Sequence, residues 1–150
     1  MKPALIAALV AATLTNPALA QEAETRAAQE LALSTAVAQG SRAWRDAFNA
    51  GDAAAAAALY EEDAVMVVTP LGRFEGRDQI QAFWADIIAK GFDDIVYRNT
   101  TTVLASDLSA AQVSATWAMN QAHGVITNET WVLQPDGRAL LRQDHFEIAQ

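Results

Sequence analysis

The chain has 150 residues, 52% of them hydrophobic, and a formal net charge of −8 at pH 7. That length suits one domain with enough material for a core. The acidic balance, with no Lys/Arg cluster to offset it, has the wrong sign for a phosphate backbone and excludes nucleic acid as a partner.

Residues 1–20 read as a secretory signal peptide. Lys2 supplies the positive start, Ala4 to Leu14 is an eleven-residue apolar run, and Ala18-Leu19-Ala20 is a small-x-small cleavage box. The run falls short of the roughly 20 apolar residues that a bilayer span needs. Export to the periplasm or beyond is therefore expected, without a membrane span and with cleavage after Ala20. The remainder carries nine basic and eighteen acidic residues, a net charge of −9.

Residues 21–34 form a helical or frayed lead-in, and the folded domain is expected over 35–150. A helical pattern runs from Ala27 to Asn49 through Leu31, Val37, Trp44 and Phe48, with Gly40 as a break between two shorter helices. Asn49-Ala50-Gly51 closes it, and Asp52 caps a second, alanine-built helix that reaches Tyr60. Ala64 to Thr69 is a buried strand stopped by Pro70. Leu71 to Gly76 is a turn-rich link. Arg77 to Lys90 is an amphipathic helix with Ile80, Phe83, Trp84, Ile87 and Ile88 inward, ended by Gly91. Four strands follow, at about 94–105, 112–121, 125–133 and 138–148. Helices followed by an antiparallel meander indicate an α+β fold.

The last two strands are joined through Pro135-Asp136-Gly137, a three-residue hairpin loop. Strict alternation from that turn pairs Trp131 with Leu141, Glu129 with Gln143 and Thr127 with His145, all on one pocket-lining face. The opposite face then carries Ile126, Val132, Leu140, Phe146 and Ile148. It is apolar enough to need cover, so a homodimer through this outer sheet face is expected.

The order and wording of these segments resemble the nuclear transport factor 2-like superfamily, the cone fold shared by ketosteroid isomerase, scytalone dehydratase and SnoaL-like polyketide cyclases. The matching phrases are Ala43-Trp44 through Asn49-Ala50-Gly51-Asp52, Leu59-Tyr60-Glu61-Glu62-Asp63-Ala64-Val65, and Gly76-Arg77-Asp78-Gln79-Ile80-Gln81-Ala82-Phe83-Trp84. Trp131-Val132 before Asp136-Gly137 and the closing Asp144-His145-Phe146 complete them. The resemblance covers residue 35 to the end. It implies a cone-shaped curved antiparallel sheet with about three helices on its concave face. One departure matters. Ketosteroid isomerases carry an aspartate base just before the proline of the first strand, and here that position is Thr69, which is no base near neutral pH.

His145 is the leading candidate for proton transfer, with Gln143, Glu129 and Thr127 beside it; a structural histidine bonded to a neighbouring strand is the alternative. Glu129 is the only carboxylate expected on the inner face, where burial beside Trp131 would raise its pKa. Tyr60 is the polar donor. Trp44, Trp84, Trp117, Trp131 and Leu141 line the pocket or fill the core, and Thr69, Asn120, Thr127 and Gln143 can add hydrogen bonds. Asp144 is read as an interface or surface group on the other face, and His123 as solvated in a turn. The chain has no cysteine, its two histidines look far apart, and no P-loop, dinucleotide fingerprint or nucleophile elbow is present. Neither a metal nor a cofactor is expected. The function implied is a pocket for a small hydrophobic, polyketide- or steroid-like ligand, with cofactor-free lyase, cyclase or isomerase chemistry by proton transfer. The alternative is a noncatalytic periplasmic ligand-binding or protein-interaction subunit.

Overall fold

The computed structural model describes residues 16–149. Most of the signal-like segment lies outside the described residues; its last five, 16–20, fall within them, with the Ala-Leu-Ala box in the first turn of helix α1 (Pro17–Asn49). The Asn16 side chain accepts a hydrogen bond from the Ala18 N–H at 3.1 Å, and Pro17 takes a first-turn position where its missing N–H costs nothing. Residues 16–29 are exposed. The buried stripe starts at Leu33 and continues through Ala36, Val37, Gly40, Trp44 and Phe48 at helical spacing. The lead-in is thus helical. No break occurs at Gly40, which serves close approach instead. A Cβ there would lie 2.7 Å from the Trp131 ring and 3.0 Å from the Ala139 carbonyl oxygen.

Gly51, at φ 76°, turns the chain out of α1. The short α2 (Ala53–Ala57) follows, capped by Asp52, whose carboxylate accepts from the Ala55 N–H at 2.8 Å. Strand β1 (Tyr60–Thr69) is followed by β2 (Gly72–Glu75), so the expected link is itself a short edge strand paired with β1. Helix α3 (Arg77–Ala89) buries Ile80 and Trp84. Strands β3 (Val96–Leu104), β4 (Ala110–Ala118), β5 (His123–Leu133) and β6 (Ala139–Ile148) complete one six-stranded sheet in the order β2-β1-β6-β5-β4-β3.

The fold is α+β, a curved sheet with the helices on one face, as expected. The sheet is not purely antiparallel, because β1 lies parallel to β6. Parallel neighbours need a long connection, and the whole of α3 and the meander lies between these two. Bulges in the β3/β4, β4/β5 and β5/β6 ladders supply local bending and added twist. The core between helices and sheet joins Leu33, Val37, Trp44 and Phe48 of α1 to Tyr60, Met66 and Val68 of β1 and to inward residues of β4–β6.

The hairpin register departs from strict alternation. Trp131 pairs with Leu141 as expected, but Thr130 pairs with Gln143, leaving Arg142 as an extra residue. Glu129 then faces Asp144, Asn128 faces His145, and Ile126 faces Phe146, with Thr127 extra on the other strand. The expected pairs Glu129–Gln143 and Thr127–His145 are therefore not formed. Each bulge shifts the alternation by one residue. Asp144, Phe146 and Ile126 become buried, whereas Gln143 and Thr127 are exposed and His145 is half-buried. Ile126, Phe146 and the half-buried Ile148 join the core side rather than the outer face.

Candidate functional site

The bulged ladder brings two carboxylates together in the interior. Glu129 and Asp144 are cross-strand partners, 2% and 4% exposed. Directly opposed residues on one sheet face have Cβ atoms about 4.5–5.5 Å apart. Burying two acids side by side is costly unless each is hydrogen-bonded. Aromatic donors do this here. The Tyr60 hydroxyl donates to Asp144 Oδ2 at 2.6 Å and accepts from the Trp84 indole N–H at 3.2 Å. The Tyr97 hydroxyl donates to Glu129 Oε1 at 3.0 Å, and the Trp131 indole N–H donates to Oε2 at 2.8 Å.

Burial pushes the Glu129 carboxyl up to about 8, with the charge of Asp144 adding to it; the Trp131 and Tyr97 donors and the Arg45 charge oppose the shift. Burial likewise raises Asp144, to about 6, against the pull of the Tyr60 hydroxyl. Between those values the pair shares one proton. Both tyrosines are held well above their ordinary value, first by burial and then by the facing carboxylates, so they stay protonated donors. Arg45 is the cation whose field reaches Glu129. Its guanidinium lies 4.7 Å from the centre of the Tyr97 ring and donates to Ser41 Oγ at 2.7 Å.

Asp144 also borders a narrow cavity walled by Trp44, Trp84, Tyr97, Trp117 and Phe146. The space open to the centre of a water molecule is about 10 Å³, on the order of one water. Ile95 and Met119 line it from two loops that are hydrogen-bonded to each other. Asn120 and Gln121 donate to the Gly91 carbonyl at 2.8 and 2.9 Å, and the Asp93 N–H donates to Asn120 Oδ1 at 3.3 Å. Arg77 of α3 fixes the start of β1 with two donors to the Tyr60 carbonyl at 3.1 and 2.7 Å.

Of the residues singled out from the sequence, the structure gathers Glu129, Tyr60, Trp44, Trp84, Trp117, Trp131 and Leu141 in or around this buried region. It does not bring the others there. His145 alternates with Asp144 on β6 and pairs with Asn128, on the opposite face. Gln143 is exposed and in contact with Asn128, and Thr127 donates to the His145 carbonyl at 3.0 Å. Thr69 is exposed at the end of β1, and Asn120 latches loops rather than lining the cavity. His123 is exposed, as expected. Asp144 is the chief residue that sequence reasoning put on the wrong face, and Tyr97, Arg45 and Arg77 were missed. A signal for Asp144 exists. Ile126 and Trp131 are five residues apart, as are Leu141 and Phe146. An odd spacing cannot put two bulky apolar residues on one face without a bulge between them. Among the described residues no cluster of three or more metal-ligating side chains occurs, and no helix is long and apolar enough to cross a membrane.

Comparison with known families finds one match, a family described as the SnoaL-like domain, over residues 41–142. No curated protein matches the chain. Among solved structures, a candidate scytalone dehydratase from Novosphingobium aromaticivorans superposes with a TM-score of 0.70 at 16% identity, covering 83% of this chain and 89% of that one. ActVI-ORFA from Streptomyces coelicolor gives 0.65 at 21% identity, covering 77% and 97%. A ketosteroid isomerase-like protein from Erwinia carotovora atroseptica gives 0.65 at 15% identity, covering 77% and 95%. At such identities the likeness is one of fold.

Proposed function

Because this chain belongs to the SnoaL-like domain family, we propose that it binds a small apolar, carbonyl-bearing ligand and moves a proton on it without a cofactor, as a lyase, cyclase or isomerase does. The observation that carries this reading is the Glu129–Asp144 pair, buried among aromatic rings with carboxyl pKa values of about 8 and about 6. Near pH 7 such a pair has one member ionised and one protonated, which is the distribution a general base and a general acid need. Asp144, which borders the cavity, is the base. Glu129 retains the proton, and Tyr60 orients Asp144 through its 2.6 Å hydrogen bond. The names of the dehydratase and ketosteroid isomerase-like neighbours support chemistry of this class.

The test needs no known substrate. Enolisable cyclic ketones are incubated with the protein in D₂O and analysed for deuterium gained next to the carbonyl. Wild type is expected to accelerate exchange, and Asp144→Asn to lose about 10²–10⁴-fold of that acceleration. The second reading, a noncatalytic binding subunit, draws support from Glu129, both of whose oxygens already accept hydrogen bonds. It predicts no exchange with any ketone, and a retained ligand in native mass spectrometry of protein from its own host.

Export and dimerisation belong to the same proposal. Export rests on the Lys2 start, the apolar run and the cleavage box, together with the exposure of residues 16–29, which would leave that box open to a protease. The dimer reading keeps only Val132 and Leu140 of the five apolar residues expected on the outer face, and each is already only 9% exposed in the single chain. Val132→Lys should then yield a monomer on a sizing column.

A further inference from the structure

Two tryptophans that line the cavity carry indole donors with no partner among the described residues. Trp44 Nε1 and Trp117 Nε1 are the buried side-chain nitrogens or oxygens without a hydrogen bond among the described residues. Both indoles line the cavity that Asp144 borders. The other polar groups there are engaged: the Tyr97 hydroxyl with Glu129, the Trp84 N–H with Tyr60, and Asp144 Oδ2 with Tyr60. Of the Asp144 carboxylate, Oδ2 is the oxygen held by Tyr60. A buried N–H left without an acceptor costs roughly as much as a lost hydrogen bond, so two around one void call for a common explanation.

An oxygen atom is that explanation. One water has two lone pairs for the two indoles and a proton for Asp144, and the void of about 10 Å³ is on the order of one water's room. A carbonyl oxygen offers the same two lone pairs. We propose that this cavity is a single-oxygen site, holding one water between Trp44, Trp117 and Asp144 in the free protein and ceding that position to the carbonyl oxygen of a bound ligand. A hydrocarbon satisfies neither indole, and a cation offers neither of them an acceptor. The second half of the proposal rests on the ligand reading above. The first half stands without it.

Crystals of the wild-type protein, free and soaked with 2-cyclohexenone, provide the test. The free form should show one ordered water within hydrogen-bond distance of both indole nitrogens. The soaked form should show the ketone oxygen in its place. Trp44→Phe and Trp117→Phe should each weaken cyclohexenone binding by about two- to tenfold more than they weaken binding of cyclohexene, which lacks the oxygen. A dry cavity, or a water touching one indole only, overturns the first half whether or not the variants fold. A ketone that fails to bind, or binds with its oxygen elsewhere, overturns the second. Water at the site without deuterium exchange on any ketone would keep the water site and remove the proton-transfer reading.

Discussion

The hairpin of β5 and β6 has two halves that are built differently. Beside the turn, Leu133–Ala139, Val132–Leu140 and Trp131–Leu141 form a regular ladder, and the inward side is apolar. Beyond Arg142 the ladder is broken twice in five rungs, and the inward side carries Glu129 and Asp144 between Trp131 and Ile126. The regular half is fixed by the local chemistry of the Pro135-Asp136-Gly137 turn. The broken half is fixed by what must be buried: Phe146 and Ile126 complete the core, and turning them inward takes Asp144 with them. Polarity in the interior is thus a consequence of register, and register there is decided by packing.

Each half is closed by a glycine beneath an indole, and the two glycines give the largest contrast. At Gly124, in the broken half, a Cβ would overlap the Glu147 carbonyl oxygen and sit 2.7 Å from the Trp117 ring. Backbone cannot yield as a side-chain tip can. Gly124→Ala should cost more than about 3 kcal/mol, at the top of the range for overpacking. At Gly40 of α1, packed against the regular half, the nearest contacts are 2.7 Å to the Trp131 ring and 3.0 Å to the Ala139 oxygen. There the helix can lift slightly, and Gly40→Ala should cost about 1–3 kcal/mol. Chemical denaturation of both variants measures the difference; equal costs would mean that the two halves are equally compliant.

The acidic pair allows the broken half to be addressed by pH. Both carboxyls have folded pKa values above their ordinary ones, about 8 for Glu129 and about 6 for Asp144. The folded state therefore binds more protons than the unfolded state between about pH 4 and pH 8. The stabilisation linked to these groups is complete below the unfolded pKa values and is lost as pH rises through about 6 and then about 8. Melting temperature should fall from pH 5 to pH 9, by an amount on the order of a few kcal/mol in stability. Glu129→Gln should flatten the upper part of that slope, since its amide can accept from Trp131 and donate to the Tyr97 hydroxyl without charge. A profile that is flat in wild type would mean that the pair is hydrated or neutralised in some other way.

What the sequence made legible follows the same division. The turn residues, the capping Asp52, the inward Val37, Trp44 and Phe48 of α1, the inward Ile80 and Trp84 of α3, and the Trp131–Leu141 rung all follow from local rules of spacing and dihedral preference. Leu31, also expected inward, is 69% exposed, and Leu33 takes its place. Glu129 was legible as an inward residue because no extra residue lies on β5 between it and the turn, whereas Tyr60, expected at the end of a helix, opens β1 just before an irregularity in its pairing with β6. Asp144 and His145 exchanged faces because one extra residue, Arg142, lies between them and the turn, and alternation carries any such error to the end of the strand. Tyr97 was hidden differently. Its strand, β3, is mostly exposed, and only the cross-strand pairing with Trp117 shows that this position turns inward.

The smallest effect concerns Arg142 itself, and it separates two accounts of the bulge. Arg142 donates to Glu61 at 2.6 and 3.1 Å, and Gln134 donates to the same carboxylate at 2.9 Å. One account is that this ion pair pulls the extra residue out of the ladder. The other is that Leu141 and Phe146, five residues apart, can both be buried only if one intervening residue is left over, and that Arg142 is simply the one that tolerates solvent. The side chain of Arg142 is 57% exposed and that of Glu61 13%, so the cationic end of the pair is solvated, and such a pair contributes on the order of 1 kcal/mol. Burying Phe146, by contrast, contributes about 1.5–3 kcal/mol. Packing outweighs the ion pair, so it holds the bulge. Arg142→Ala should then cost no more than about 1 kcal/mol and keep the cross-strand contact between the α-protons of Glu129 and Asp144, read by nuclear Overhauser effects. If that contact disappears and Gln143 moves opposite Glu129, the ion pair holds the bulge, and the acidic site depends on a surface charge.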